Sequence, residues 1–276
     1  MFELPELTTI AAQMARSIEG KVIAEGSLGN SPHKFVWYNR EHEEFSALVA
    51  GKRVGHPHAE GKWLFMPLEP DWMLLLGEWG GRILFHEAPA SPPAKYHLYL
   101  GFEDGSALSA TTQMWGGVGL FEEGLERDYK YVKDMRTQPS APEFTWEYFG
   151  RLAEEARANG KRSVKGLLTQ EGFVPGVGNA IAQDIMFRSS LNPRHDLAEL
   201  SEEQLRVLYA ETVATVADAT VAGGRNDERD LYGRRGGYVR IMDAKSVGRP
   251  CPRCGTSIEK MQYLGGACYY CPSCQV

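Results

Sequence analysis

The sequence predicts an α+β chain in three parts: an N-terminal antiparallel β-sandwich carrying one N-terminal helix, a helical domain, and a C-terminal ribbon built on four cysteines. Three observations support this. From Lys21 to about Thr112 the apolar residues fall in short β-type runs separated by turn signals. After a proline-broken stretch at 137–142 the period becomes helical, and all five cysteines lie in the last 26 residues.

Leu7, Ile10, Ala11, Met14 and Ile18 share one helical face, so the chain opens with a short amphipathic helix that Thr8 or Thr9 is placed to cap. Strand runs begin at Lys21, Lys34, Lys62, Trp72, Arg82, Lys95 and Ser106. Turn residues separate them at Gly29-Asn30-Ser31-Pro32, Glu69-Pro70-Asp71 and Glu103-Asp104-Gly105. Trp37, Trp63, Trp72 and Trp79 read as core residues of these strands, and His56-Pro57-His58 as a loop. The expected domains are 1–136 for the sandwich, 137–143 for a linker, 144–222 for the helical part and 223–276 for a basic segment containing the ribbon at 251–274. Helices are expected over Thr145–Arg157, Val164–Thr169, Asn179–Arg188 and Ser201–Val221, the last opening on a Ser201-Glu202-Glu203-Gln204 cap.

With 276 residues, 43% of them hydrophobic, the chain is long enough for two domains of ordinary size or one large one, with a real core. No apolar run is long enough to span a membrane, and the opening MFELPELTTI has neither a basic flank nor an apolar h-region. The expectation is a monomeric cytoplasmic protein with no membrane partner, nucleoid-associated if bacterial. The net charge of −6 speaks against a polyanion binder only on average. From Gly223 to Val276 nine Lys and Arg face five Asp and Glu, whereas the first 222 residues carry 21 against 31. A localised anion-binding end follows.

Cys251-Pro252-Arg253-Cys254 and Cys271-Pro272-Ser273-Cys274 are two C-P-x-C knuckles whose four thiolates can close a tetrahedron about a zinc ion. Such a closed site contributes folding energy rather than chemistry, so one structural Zn²⁺ per chain is expected. Cys268 forms a second C-x-x-C with Cys271; the repeated C-P-x-C form favours Cys271 and Cys274 as ligands. Upstream, Val174-Pro175-Gly176-Val177-Gly178-Asn179 is a glycine turn opening a helix, where free N–H groups and the helix dipole attract phosphate. Lys161, Arg162, Lys165 and Arg188 lie near it in sequence.

Four motifs stand in order: the opening Met1-Phe2-Glu3-Leu4-Pro5-Glu6, the hairpin Gly61-Lys62-Trp63-Leu64, the turn and helix from Gly176 to Arg188, and the ribbon ending Cys271-Pro272-Ser273-Cys274-Gln275. Together they resemble the formamidopyrimidine-DNA glycosylase/endonuclease VIII family across nearly the whole chain. The resemblance implies base excision repair on double-stranded DNA, damaged or abasic, gripped by the sandwich and by a helix-two-turns-helix module with its zinc ribbon. It implies phosphate contacts from Lys62, Asn179 and the backbone around Gly178; Lys165 and Arg188, basic neighbours of the glycine turn in sequence, are further DNA-binding candidates. It also implies that Glu3 is the general acid/base and that Glu6 steadies the site. Glutamates at a helix start have a bland role too, since negative charge there is worth ~0.3 to 1 kcal/mol.

The sequence departs from the family at lesion-facing positions. The usual second residue is a proline whose amine attacks the sugar C1′; here it is Phe2, which should leave Met1 in place and shift the amine by one residue. Gly265-Gly266-Ala267-Cys268 lacks the ribbon arginine, Leu76-Gly77-Glu78-Trp79-Gly80 has a carboxylate for the void-filling methionine, and Thr112-Gln113-Met114-Trp115 has no counterpart of the loop arginine. The expectation is a damaged-DNA-binding protein with glycosylase activity weak or lost and residual abasic-site lyase activity. Its alternatives are an active bifunctional glycosylase/AP lyase using Met1 or Lys62 as the amine, and an RNA-binding or protein-interaction module.

Overall fold

The computed structural model describes residues 1–29, 35–158, 160, 162–170 and 172–276; Asn30, Ser31 and Pro32 of the first expected turn, Lys34 and Lys161 lie outside the described residues. The chain divides into two compact units, 1–135 with 222–237, and 136–221 with 238–276. The basic segment expected to run from 223 as one piece is thus shared, its first part completing the N-terminal unit.

In the first unit the N-terminal helix α1 (Leu4–Ser17) begins earlier than its apolar period suggests. Glu3 is extended at φ −113°, Pro5 sits in the first turn where a missing N–H costs nothing, and the Glu6 carboxylate accepts the Glu3 N–H at 2.8 Å. Neither threonine caps it: the Thr9 hydroxyl donates backward to the Pro5 carbonyl. The strands are β1 (Ile23–Leu28), β2 (Val36–Tyr38), β3 (Arg53–Val54), β4 (His58–Glu60), β5 (Trp63–Glu69), β6 (Trp72–Gly77), β7 (Gly81–His86), β8 (Leu98–Phe102), β9 (Ala107–Thr112) and β10 (Gly116–Glu122). One sheet runs β1-β8-β9-β7 and the other β2-β10-β6-β5-β3, with β4 also on β5. The sandwich is antiparallel as expected, with one parallel pair, β10 with β2, at the edge of the second sheet.

Alternation places the core. Leu64, Met66 and Leu68 of β5 and Leu74 and Leu76 of β6 join Leu98, Leu100 and Leu108 of the facing sheet and the apolar face of α1. Trp63, Phe65, Met73 and Leu75 point the other way and are covered by Val132, Tyr129 and Met135. Burial on both faces makes β5 and β6 read as continuous apolar runs. Trp63 and Trp79 are buried, as expected, but Trp37 is 40% exposed and Trp72 only half-buried. A second helix, α2 (His42–Val49), was not expected; it buries Phe45 and Val49, four residues apart.

In the second unit, α3 (Trp146–Ala158), α4 (Val164–Thr169), α5 (Asn179–Arg188) and α6 (Glu202–Val221) fall where the period puts them. Ser201 and Gln204 cap α6 reciprocally, Ser201 N–H to Gln204 Oε1 at 2.9 Å and Gln204 N–H to Ser201 Oγ at 3.2 Å. The ribbon hairpin pairs β11 (Glu259–Tyr263) with β12 (Gly266–Tyr270) across Leu264 and Gly265, both at positive φ as a two-residue hairpin turn demands. Buried Asp184 of α5 accepts the Tyr238 hydroxyl and the Ile241 and Met242 N–H groups, fixing the approach to the ribbon. Among the described residues no helix is long and apolar enough to cross a membrane.

Candidate functional site

Phe2 defines the N-terminal site. Its side chain is fully buried in the sandwich core and its N–H donates to the Trp79 carbonyl at 2.8 Å, so the second residue serves as an anchor. Burying one Phe contributes about 1.5–3 kcal/mol. The free amine falls on Met1, whose ammonium lies 3.1 Å from Glu228 Oε1. It borders a cavity of about 830 Å³ with Arg82, Lys95, His97, Gln113 and Arg229.

Glu3 and Glu6 are both buried. The structure supplies a partner the sequence reading missed. Arg225, also buried, donates from Nε to Glu6 Oε1 at 3.1 Å, from Nη2 to Glu6 Oε2 at 2.9 Å, and from its backbone N–H to Glu6 Oε1 at 2.8 Å. Nη2 also donates to the Met1 carbonyl at 2.7 Å. Burial alone would push the guanidinium pKa down, but the charges of Glu3 and Glu6 outweigh it and raise it, so the guanidinium stays charged. Gly224, at φ +89°, packs where a Cβ would meet Glu6 Cγ at 2.9 Å. Glu6 is therefore committed to holding the chain end. No pattern in the sequence distinguished Arg225 from the other arginines of that segment.

Lys62 is half-buried, with Nζ 4.0 Å from Glu78 Oε1. Where a loop arginine was sought, Met114 and Trp115 stand exposed and Gln113 lines the cavity.

In the second unit Gly178 is the extended residue preceding α5 and Asn179 opens the helix, exposed. Asn179 Nδ2 and Gln183 Nε2 both donate to the Ala267 carbonyl at 3.1 Å, so the turn-and-helix and the ribbon hairpin form one surface. A Cβ on Gly266 would lie 3.0 Å from Asn179 Oδ1, which accounts for a glycine at the place of the absent arginine. Lys165 and Arg188 have partners within the second unit. Lys165 is buried and donates to the Tyr263 carbonyl at 2.6 Å, while Arg188 pairs with Asp218 at 2.8 Å.

The sulfurs of Cys251, Cys254, Cys271 and Cys274 lie within 4.8 Å of one another, with Cys251–Cys274 at 3.8 Å and Cys254–Cys271 at 3.5 Å. Zn–S bonds of about 2.3 Å in a tetrahedron set sulfurs about 3.8 Å apart, so the cluster fits such an ion. Hydrogen bonds from Thr256 pull the Cys254 thiol down to about 6. Cys268 is buried on β12, opposite Met261, outside this cluster. Arg253 docks the first knuckle on the carbonyls of Phe187 and Arg188 at 2.9 Å each.

Known proteins agree with this architecture. The formamidopyrimidine-DNA glycosylase N-terminal domain matches residues 1–114 and the formamidopyrimidine-DNA glycosylase H2TH domain matches residues 136–228. A formamidopyrimidine-DNA glycosylase of Chloroflexus aggregans is 30% identical over all of this chain and 99% of its own length. One of Geobacillus kaustophilus is 30% identical with both chains fully covered. A Lactococcus lactis Fpg, solved with DNA containing an abasic site, superposes with a TM-score of 0.83 at 22% identity over 99% of both chains. The MutM (Fpg) protein of Thermus thermophilus superposes at 0.82 with 24% identity over 99% and 98%. Sandwich, H2TH helices and four-cysteine cluster define the class, a DNA-repair glycosylase scaffold. The chain belongs to the formamidopyrimidine-DNA glycosylase family.

Proposed function

We propose that this chain binds damaged or abasic duplex DNA, with base excision weak or lost and abasic-site lyase chemistry as its residual activity. The burial of Phe2 carries this reading: it withdraws the second residue from chemistry and leaves a primary amine one residue away. Misplacement by about 1 Å can cost on the order of a hundredfold in rate. Excision needs that precision at C1′; an open-chain aldehyde does not. There the Glu228 carboxylate takes a proton from the Met1 ammonium, and the amine adds to C1′ and loses water to give the imine. A proton then leaves C2′ and the 3′ phosphate departs. Glu3 is the buried carboxylate for proton transfer at the sugar. Lys62, Gly178 and Asn179 hold phosphate, and the four cysteines hold one structural zinc.

The test is single-turnover kinetics with purified protein on 8-oxoguanine:C and abasic duplexes, with borohydride trapping. The expected result is a trapped adduct on the abasic duplex only, removed when the amine is blocked and retained in Lys62→Ala. Efficient 8-oxoguanine excision abolished in Glu3→Gln overturns the reading. Lys62→Ala and Asn179→Ala should weaken duplex binding irrespective of sequence.

A further inference from the structure

A second cavity of the sandwich unit, about 670 Å³, also borders Met1, and its walls are of another kind. Trp37, Trp115, Tyr129 and Tyr131 line it together with Glu78 and Lys130. Trp37 is 40% exposed, Trp115 53% and Tyr131 58%. These rings are held in place from behind. Trp37 stacks on Tyr129 at 4.9 Å and 8°, and Tyr131 lies over the buried Trp63 at 6.2 Å and 21°. Gly77 makes this possible, since a Cβ there would fall 2.1 Å from the Trp63 ring. Lys130 Nζ sits 4.6 Å over Tyr131. Glu78 holds a left-handed backbone at φ +49°, a conformation that costs a glutamate energy.

Partly exposed aromatic rings lining one cavity ask for a flat occupant, and sequence-tolerant base stacking uses such rings. A carboxylate in the same cavity asks for N–H donors on that occupant's edge. Guanine presents two adjacent donors, N1–H and N2–H, that match the two oxygens; adenine and cytosine present only an exocyclic amine. Lys130 at the rim complements a phosphate attached to that base. Glu78, with Lys62 Nζ 4.0 Å away as its nearest cation, and Lys130, over Tyr131, give the cavity a charged rim that a purely apolar peptide would not complement.

We propose that this cavity is a stacking site for one unstacked guanine base, packed on Trp37 and Tyr131 and read by Glu78. The inference rests on the DNA-binding reading above and adds to it. Because Met1 lines both cavities, the guanine belongs to a nucleotide close to the sugar that the amine addresses.

The test is titration of the full-length protein with guanosine monophosphate and inosine monophosphate, which lacks the N2 amine, followed by tryptophan fluorescence. Guanosine monophosphate should bind about tenfold tighter than the inosine form, and Glu78→Gln should erase that difference. Trp37→Ala and Tyr131→Ala should each weaken both ligands by about tenfold. In parallel, duplexes carrying an extrahelical guanine or a baseless tetrahydrofuran at the same position are compared. The wild type should prefer the guanine, and Trp37→Ala should lose that preference while holding the baseless duplex equally well. Equal binding of the two mononucleotides by the wild type, or no change in any of the three variants, overturns the proposal. Binding of guanosine monophosphate with no affinity for any duplex overturns the DNA-binding reading instead.

Discussion

At the scale of single residues, the N-terminal site depends on an arginine that sequence reasoning did not single out. Glu6 and Arg225 are both buried and share three hydrogen bonds, so removing either leaves an uncompensated charge in the interior. Arg225→Ala should destabilise the sandwich unit by about 3–5 kcal/mol, read as a fall in unfolding midpoint in urea. The more exposed Glu60 gives a pH signature. Paired end-on with Arg127, Nη1 and Nη2 each at 2.7 Å, and bonded to His58, its carboxyl is pulled from 4.5 down to about 2. A depressed acid contributes stability that is fully present above its unfolded value and lost as pH falls through the folded one. Glu60→Gln should therefore narrow the loss of thermal stability between about pH 4.5 and 2, by under about 1 kcal/mol because the pair is half in water. An unchanged acid limb would show that the pair contributes nothing to folding.

At the scale of elements, helices with a clear period were legible and glycine-rich strands were not. α4 and α5 match their expected bounds residue for residue, because apolar periodicity and the turns flanking them agree. Strand β10 escaped because Gly116, Gly117 and Gly119 carry no pattern. The reason lies across the sheet, where the Trp79 ring sits 2.9 Å from where a Gly116 Cβ would be. Such a constraint is visible only once the strands pair. The start of α1 was missed for a local reason: the capping pair at Glu3 and Glu6 lies ahead of Leu7, where the apolar period begins. The ribbon hairpin offers a constructive test. Gly266→Arg restores a guanidinium beside Asn179, whose side chain must give by a few tenths of an ångström. Duplex affinity should rise several-fold and the salt dependence steepen by about one counterion. Weaker binding in this variant would mean that the surface shared by α5 and the ribbon faces away from DNA.

At the scale of the whole molecule, three of the strongest sequence signals, the cysteine pairs, the glycine turn and the proline-broken linker, marked out the architecture. The site was less legible, since Lys165 and Arg188 sit among basic residues yet are used internally. Zinc content separates the two cysteine readings: Cys271→Ser should lose the metal and melt the ribbon, while Cys268→Ser keeps one equivalent by atomic emission. The N-terminal unit also draws on distant chain, since Leu231 is part of its core and Arg225 neutralises Glu6. On the ribosome this unit cannot finish when residue 135 emerges; it must wait for 222–237. At roughly 5–20 residues per second that is a delay on the order of 5–20 s, during which Glu6 is an unpaired charge beside an open core. A chaperone thus has a defined window in which to hold the nascent chain, and a fragment ending at 136 should stay in that state and aggregate until a peptide spanning 222–237 is supplied.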